Sequence, residues 1–341
     1  NFLDYQGTPK DDFDRSFLVF SDQGSWFGYS LPESPDQSSF SGPFLMTQDN
    51  GIWSSPSMVE VAFLDNTGKD IAVTTKRTGM ESDLSGLQTS REGEDFKIEN
   101  KLLFISKSSA AIQTRITNLS GEAQEIYPVV KGDLQPESLT FMAMGDSIFV
   151  KTAVNSSQGY ISLPLSSNIT SRKVEKKNFV VEYAPVSLSP NDTYELVHTQ
   201  SFVFSKKDLK EEEKIIKKVG EDFGKVLEQR KSEKAGIHSR VYEQVEDSWK
   251  TPQYESLVGK LILTLQNNWR SAAGGLSRAG LFPSYHYKWF HGFWAWDSWK
   301  HAAAVTQYDP ALAKEQMWAM YDYQTPTGFI PAVVYRDNLI E

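Results

Sequence analysis

Lys206-Lys207-Asp208-Leu209-Lys210-Glu211-Glu212-Glu213-Lys214-Ile215-Ile216-Lys217-Lys218-Val219-Gly220 opens a run, extending to Lys234, that is dominated by lysine and glutamate. Leu209, Ile215, Ile216, Val219, Phe223, Val226 and Leu227 recur in it at roughly helical spacing. The pattern predicts an amphipathic helix or helix pair, and a face this charged reads as a solvated linker. Gly236 marks its expected break.

Upstream, from about Ser16 to Phe204, the chain reads as β-structure. Residues 97–105, 111–117, 179–183 and 201–204 are strand candidates, and Asn118-Leu119-Ser120-Gly121 is a turn. Strands separated at short spacing by Gly, Asn, Asp, Ser and Pro point to an antiparallel sandwich. Asp65-Asn66-Thr67-Gly68-Lys69-Asp70 has only a superficial likeness to a calcium loop, because the ligand spacing and distal glutamate are missing, and it reads as a hairpin turn. Downstream of Pro252 the pattern is helical. Leu257, Leu261, Ile262, Leu265 and Trp269 form one apolar face, ended by Gly274-Gly275. Asp297 opens a helix through Val305, and Asp309-Pro310 starts another, on which Ala313, Met317, Met320 and Tyr321 share a face. Nothing alternates as βαβ, so the fold class is mixed, β then α: an antiparallel β-sandwich over residues 1–204, a helical linker over 205–250 and helices over 251–341.

Composition narrows the function classes. The 341 residues carry 39% hydrophobic and 23% charged side chains, as ordinary globular chains do, and their number favours more than one domain. No apolar run approaches the ~20 residues that span a bilayer. A net charge of −9 argues against a nucleic-acid partner, since phosphate backbones demand a basic surface. The absence of cysteine removes disulfides, thiolate metal sites and cysteine nucleophiles. It fits an exported bacterial protein, periplasmic or extracellular, and also a cytosolic one. The first residue is Asn1 with no basic or apolar leader after it, so a signal peptide or a tag has been removed on this reading. The Asn-x-Ser/Thr triplets at Asn118, Asn155, Asn168 and Asn191 read as chance in a chain rich in serine and threonine.

Chemistry concentrates late. Seven of the nine tryptophans follow residue 248, and Lys288-Trp289-Phe290-His291-Gly292-Phe293-Trp294-Ala295-Trp296-Asp297-Ser298-Trp299-Lys300 sets four of them and two phenylalanines around one carboxylate, Asp297. Aromatic faces stack on the C–H faces of sugar rings, and a carboxylate among them binds hydroxyls or orients water. The competing reading is plain: tryptophan clusters more often fill a core, and an acidic residue at a helix start more often caps it. The five histidines show no metal spacing. His301, four residues beyond Asp297, shares its helix face, as a structural hydrogen bond more readily than a catalytic one. Residues 275–280 lack the Lys-Ser/Thr that follows a phosphate loop. Arg270 reads as a bidentate partner for a carboxylate, with one lining the site as a candidate.

Residues 267–275 (Asn-Asn-Trp-Arg-Ser-Ala-Ala-Gly-Gly), the Trp-x-Trp-Asp-x-Trp-Lys motif of residues 294–300 and Gly328-Phe329-Ile330-Pro331, in this order, resemble glycoside hydrolase family 63, in particular its bacterial α-glucosidases. Residues 21–32 resemble an early segment of their β domain. The resemblance implies an N-terminal β-sandwich, a helical linker and an (α/α)6 toroid. It also implies inverting hydrolysis, in which one carboxyl group protonates the leaving oxygen and another activates water on the opposite face. Both of those groups lie later in such toroids. At the Asp297 position the resemblance implies a residue that holds the sugar and the attacking water, with Phe290, Trp294, Trp296, Arg270 and Phe329 as substrate-binding neighbours. No metal ligands are implied within this chain, and any calcium belongs to the later toroid.

From Pro252 onward the chain supplies 90 residues, whereas twelve helices with their connections need more than about 200. The expectation is therefore a chain carrying the N-terminal portion of an exo-acting α-glucosidase of short gluco-oligosaccharides, completed by its continuation or a second polypeptide. A trehalase or mannosyl-linkage hydrolase of the same clan and a noncatalytic carbohydrate-binding module stand as alternatives.

Overall fold

Strand character ahead of residue 205 resolves into antiparallel sheets in the computed structural model, which describes residues 2–46, 51–152, 157–163, 168–287 and 289–336. Asn155, Lys288 and residues 337–341 lie outside the described residues. An eight-stranded sheet runs in the order Leu139–Met144, Ser147–Thr152, Gln158–Ser162, Thr193–Val203, Ser109–Asn118, Phe96–Phe104, Gly86–Glu92, Lys76–Ser82. In a second sheet Gln124–Asp133 pairs with Asn178–Tyr183, Val186–Leu188 and Val59–Leu64, and Ile169–Val174 lies beyond Asn178–Tyr183. Phe27–Ser30, Ser41–Leu45 and Ile52–Trp53 form a third.

Side chains alternate across a strand, so Phe96, Ile98, Asn100 and Leu102 all face inward. They share one core with Val61, Val130 and Val181 of the second sheet. This is the sandwich. The Asp65 turn is as expected: its carboxylate accepts from the backbone N–H of Thr67 and Lys69, and Leu64 bridges Asp70 antiparallel. Asn118 is buried, donating to the carbonyls of Glu122 and Leu188, which makes it a turn anchor.

The sandwich interior also holds polar groups. His198 is buried, with the Gln200 amide 3.2 Å from its Nε2, and burial pushes its pKa down to about 4. An unfolded histidine titrates near 6.5. Between those values the unfolded chain binds the extra proton, so the stability His198 contributes is complete above about pH 6.5 and is lost as pH falls toward 4, by about 3 kcal/mol. Urea midpoints at pH 7.5 and 4.5 are expected to fall further apart for the wild type than for His198→Gln. Equal spacing would refute the effect.

The linker is two helices, α1 (Lys206–Glu221) and α2 (Phe223–Glu243). They break at Asp222, whose carboxylate caps α2 by accepting from Lys225 N–H. Gly236, the expected break, lies inside α2; a lone helical glycine costs only about 1 kcal/mol. Nor is the charged face simply solvated. Glu212 is buried and accepts from Ser106 and Ser109 Oγ, each at 2.6 Å, while Val219 and Phe223 pack on Leu103 and Ala111 of the large sheet. Arg230 and Lys234 of α2 are buried against Asp22, in a turn of the sandwich.

Three further helices follow: α3 (Pro252–Asn268), α4 (Ala295–Val305) and α5 (Pro310–Tyr321). The expected apolar face of α3 is met in part: Ile262 is buried and Leu265 and Trp269 pack partly buried, but Leu257 and Leu261 are not on the buried side. Val258, Gly259, Ile262, Leu263, Gln266 and Asn267 point inward, and Leu257 and Leu261 are exposed. The polar groups on this side are bonded: Asn267 donates to Tyr5 Oη and accepts from Ser21 N–H, and Gln266 accepts from Lys234. The segment ends at Asn268 rather than at Gly274-Gly275, with a strand pair of Trp269–Arg270 and Gly280–Leu281. Asp309 caps α5, as expected, accepting from Leu312 N–H. The buried face of α5 includes Ala313, Gln316 and Met320, and Tyr321 is exposed. α4 starts two residues before Asp297, with Trp294 at the cap position. Among the described residues no helix is long and apolar enough to cross a membrane.

Candidate functional site

The tryptophan-rich segment is bent into place by its backbone. Trp289 adopts a left-handed φ of 68°, and its carbonyl accepts from Tyr335 Oη at 2.8 Å. His291 is buried, stacked on Phe282 with its Nε2 2.9 Å from the Tyr285 carbonyl. At residue 292 a Cβ would come within 2.7 Å of Tyr335 and Val333, so only glycine lets the chain run flush against residues 333–335. Phe293–Trp294 then pairs with Val333–Val334, and Ala295 N–H donates to the Ala332 carbonyl. That pairing brings the Gly328-Phe329-Ile330-Pro331 segment alongside the Trp-Asp motif.

Anchored so, the segment turns aromatic rings outward. Trp296 is 62% exposed, Phe329 65% and Tyr287 64%, with Trp289 and Phe290 near 40%. Phe290 meets Tyr287 and Trp294 edge-on, at 5.7 and 5.6 Å between centroids. The core reading therefore holds for Phe293, which is fully buried, and fails for Trp296 and Phe290. One face of Trp296 is covered by the Lys300 ammonium, 4.2 Å from the ring centre.

Asp297 sits in the first turn of α4, where the helix dipole favours a carboxylate. It is half-buried, and among the described residues no hydrogen bond or ion pair reaches its side chain. Capping is not its task. His301, one turn on, is held below the ordinary histidine pKa by burial; the Asp297 charge and a hydrogen bond with the Leu281 backbone act the other way.

Arg270 departs from expectation. It is fully buried, and its partners are Ser21 Oγ and the carbonyls of Asn267 and Trp269, with no carboxylate among the described residues. Its guanidinium lies 4.2 Å over the Phe282 ring, and burial lowers its pKa to about 9. The link from Arg270 to the aromatic segment runs through Phe282, which stacks on His291. Its place is the seam between sandwich and helices, behind the exposed rings.

Two buried residues near Asp297 escaped the sequence reading, Ser298 and Gln316. Ser298 Oγ donates to the Trp294 carbonyl at 2.7 Å and accepts from Gln316 Nε2 at 2.8 Å. A glutamine spaced three and four residues from Ala313 and Met320, on an apolar face, was the available signal. A cleft of about 520 Å3 lies elsewhere, between α2, α3 and α5, and draws on none of residues 289–297. Among the described residues no three side chains of metal-ligand type gather.

Residues 4–142 match the family model described as the N-terminal domain of glucosidase YgjK. The fold is similar to that of a protein assigned as a kojibiose phosphorylase from the human microbiome, with a TM-score of 0.59 and 12% identity over 94% of this chain and 50% of that one. The chain thus spans about half the length of that structure. Over 55% of its length it also matches, with TM-scores of 0.37, an assigned aldose 1-epimerase from Escherichia coli K12 (7% identity, 99% of that chain) and a galactose mutarotase related enzyme from Lactobacillus acidophilus (8% identity, 97% of that chain).

Proposed function

We propose that this chain is the sandwich, linker and first toroid helices of an inverting, exo-acting α-glucosidase of glycoside hydrolase family 63, acting on short gluco-oligosaccharides. The observation that carries the reading is Asp297: a half-buried carboxylate to which no hydrogen bond or ion pair is made among the described residues, in a segment that exposes Trp289, Phe290 and Trp296. The glucosidase N-terminal domain match over residues 4–142 supports it, as does the fold shared with a sugar-active enzyme twice as long.

In this reading the toroid is completed by the chain's continuation or a partner polypeptide, which supplies the general acid, the general base and any calcium site. Asp297 accepts hydrogen bonds from sugar hydroxyls and from the attacking water. Phe290, Trp296 and Phe329 offer ring faces to the sugar, and Trp294 backs Phe290. Arg270 acts from behind, fixing the strand at residues 269–270 to the sandwich turn. The protein works in the periplasm or outside a bacterial cell.

The test is to follow hydrolysis of α-1,2 and α-1,3 glucobioses by the complete polypeptide, in phosphate-free buffer, with NMR detection of the first glucose released. β-Glucose appearing first is the expected result, because inversion converts an α-linkage to a β-product. α-Glucose first would refute inversion. Saturable sugar binding without hydrolysis would favour a noncatalytic module, and preferred cleavage of trehalose or a mannosyl disaccharide would move the enzyme within its clan.

A further inference from the structure

Gln316 of α5 is fully buried and ties together three elements. Its Oε1 accepts the Leu281 N–H, and its Nε2 donates to Ser298 Oγ, which in turn donates to the Trp294 carbonyl at the start of α4. Ser298 is fully buried too. Burial holds the His301 ring below its ordinary pKa, and the Asp297 charge and the Leu281 backbone act against it. From Gln316, then, a hydrogen-bonded path runs through Ser298 to the turn that carries Asp297, and a second bond holds the Leu281 strand against α5. The strand approaches α5 this closely because residue 280 is glycine: a Cβ there would stand 3.0 Å from Gln316 Oε1 and 2.7 Å from the Phe293 ring.

We infer that Gln316 is a positioning residue for Asp297: its paired hydrogen bonds to Leu281 and Ser298 fix the first turn of α4 and so the carboxylate's place over the sugar site. This rests on the reading of Asp297 as the group that holds sugar or water. A buried network with every member satisfied has one preferred geometry. An apolar side chain of similar size at residue 316 strands the Leu281 N–H and leaves Ser298 Oγ free to turn. The Ser298 fault lies at the residue next to Asp297, and a misplacement of about 1 Å at a reacting centre costs about a hundredfold in rate.

The experiment compares Gln316→Met, Gln316→Glu and Ser298→Ala with wild type in the complete polypeptide. It reads kcat and KM for glucobiose hydrolysis, thermal unfolding, and the imidazole NMR resonances of His301. Gln316→Met is expected to lower kcat by about a hundredfold with KM little changed, and to move the His301 resonances. Gln316→Glu keeps the acceptor for Leu281 and is expected to recover part of the loss, as is Ser298→Ala, which leaves the Leu281 bond intact. A folded Gln316→Met with wild-type kcat and unmoved His301 resonances would overturn the inference, leaving Gln316 a packing residue. If Gln316→Met does not fold, Gln316→Glu and Ser298→Ala decide by the same two readouts. Should wild type hydrolyse no glucoside, the functional reading falls, and the His301 resonances still report whether Gln316 governs this turn.

Discussion

Asp297→Asn is expected to lower turnover by at least about a hundredfold, the scale on which lost positioning and lost electrostatic stabilisation act, while leaving the unfolding midpoint near wild type. The two halves of that expectation have separate causes. Stability is spared because α4 begins at Ala295 without a side-chain cap and no protein group bonds to the carboxylate among the described residues. The amide keeps the shape and gives up a modest interaction with the helix dipole, about 0.3–1 kcal/mol. Activity suffers because the amide presents one acceptor oxygen where the carboxylate presents two, and carries no charge to strengthen hydrogen bonds from hydroxyls or water. The measurement is steady-state hydrolysis of a glucobiose by the complete polypeptide alongside thermal unfolding of the same samples. Turnover at the wild-type rate would sink the assignment of Asp297; a large fall in midpoint would mean that the residue is structural after all.

The second large effect lies far from the rings. Asp22 is 1% exposed and receives Arg230 at 2.7 Å and Lys234 at 2.6 Å, both from α2. Burial alone would raise the Asp22 pKa; the two cations outweigh it and hold the carboxyl below its ordinary value. For Lys234 burial is the stronger influence, pulling its pKa down against the attraction of Asp22. Asp22→Ala therefore strands buried positive charge. Arg230 keeps Glu233 as an ion-pair partner, whereas among the described residues Lys234 keeps the Gln266 amide oxygen as its hydrogen-bond partner. Removing one member of a buried ion pair costs about 3–5 kcal/mol, and that is the expected loss in guanidinium unfolding at pH 7. The deficit shrinks at alkaline pH, where Lys234 sheds its proton in the variant. The double change Asp22→Ala with Lys234→Met is expected to recover part of it, because no ammonium remains to be left alone. A single-variant loss below about 1 kcal/mol would show that water or a rearranged Glu233 serves the cations instead.

How much of this was legible in the sequence follows from which residues speak for themselves. The switch from strands to helices near Ser205 is plain, since residues that alternate give way to a lysine and glutamate run with helical spacing. The Asp309 cap and the Asp65 turn are local chemistry and are equally readable. The face of α3 was not. Apolar residues occur on both sides of the helix, and the side buried carries Val258, Ile262 and Leu263 together with Gln266 and Asn267, whose bonds go to Lys234, Tyr5 and Ser21, partners distant in sequence. Asp22 hides for the same reason: a lone aspartate in a turn carries no sign of two cations more than two hundred residues away. Gly236 misled because glycine marks a helix end only where something else fails to continue the helix. In the candidate site, Trp296 and Asp297 stand out in their motif, whereas the surroundings of Arg270 and Gln316 show only in the structure, one buried in the seam and the other bonded to the Leu281 strand.

The seam between sandwich and helices has a consequence for how the molecule comes into being. Ser21 bonds to Asn267, Arg15 to the Tyr285 carbonyl and Arg336 to the Met46 carbonyl, at sequence separations of 246, 270 and 290 residues. Closing loops of that size is entropically costly before any contact rewards it, and such topologies fold slowly. During synthesis the segment that carries Trp26, Phe44 and Trp53 emerges long before its partners and must wait with these rings uncovered on the flank that residues 273–334 will occupy. Until residue 336 has left the ribosome, that early segment is a sticky, half-clothed surface. Chaperone demand and sensitivity to growth temperature should therefore track the translation of residues 273–336 more closely than that of the sandwich itself.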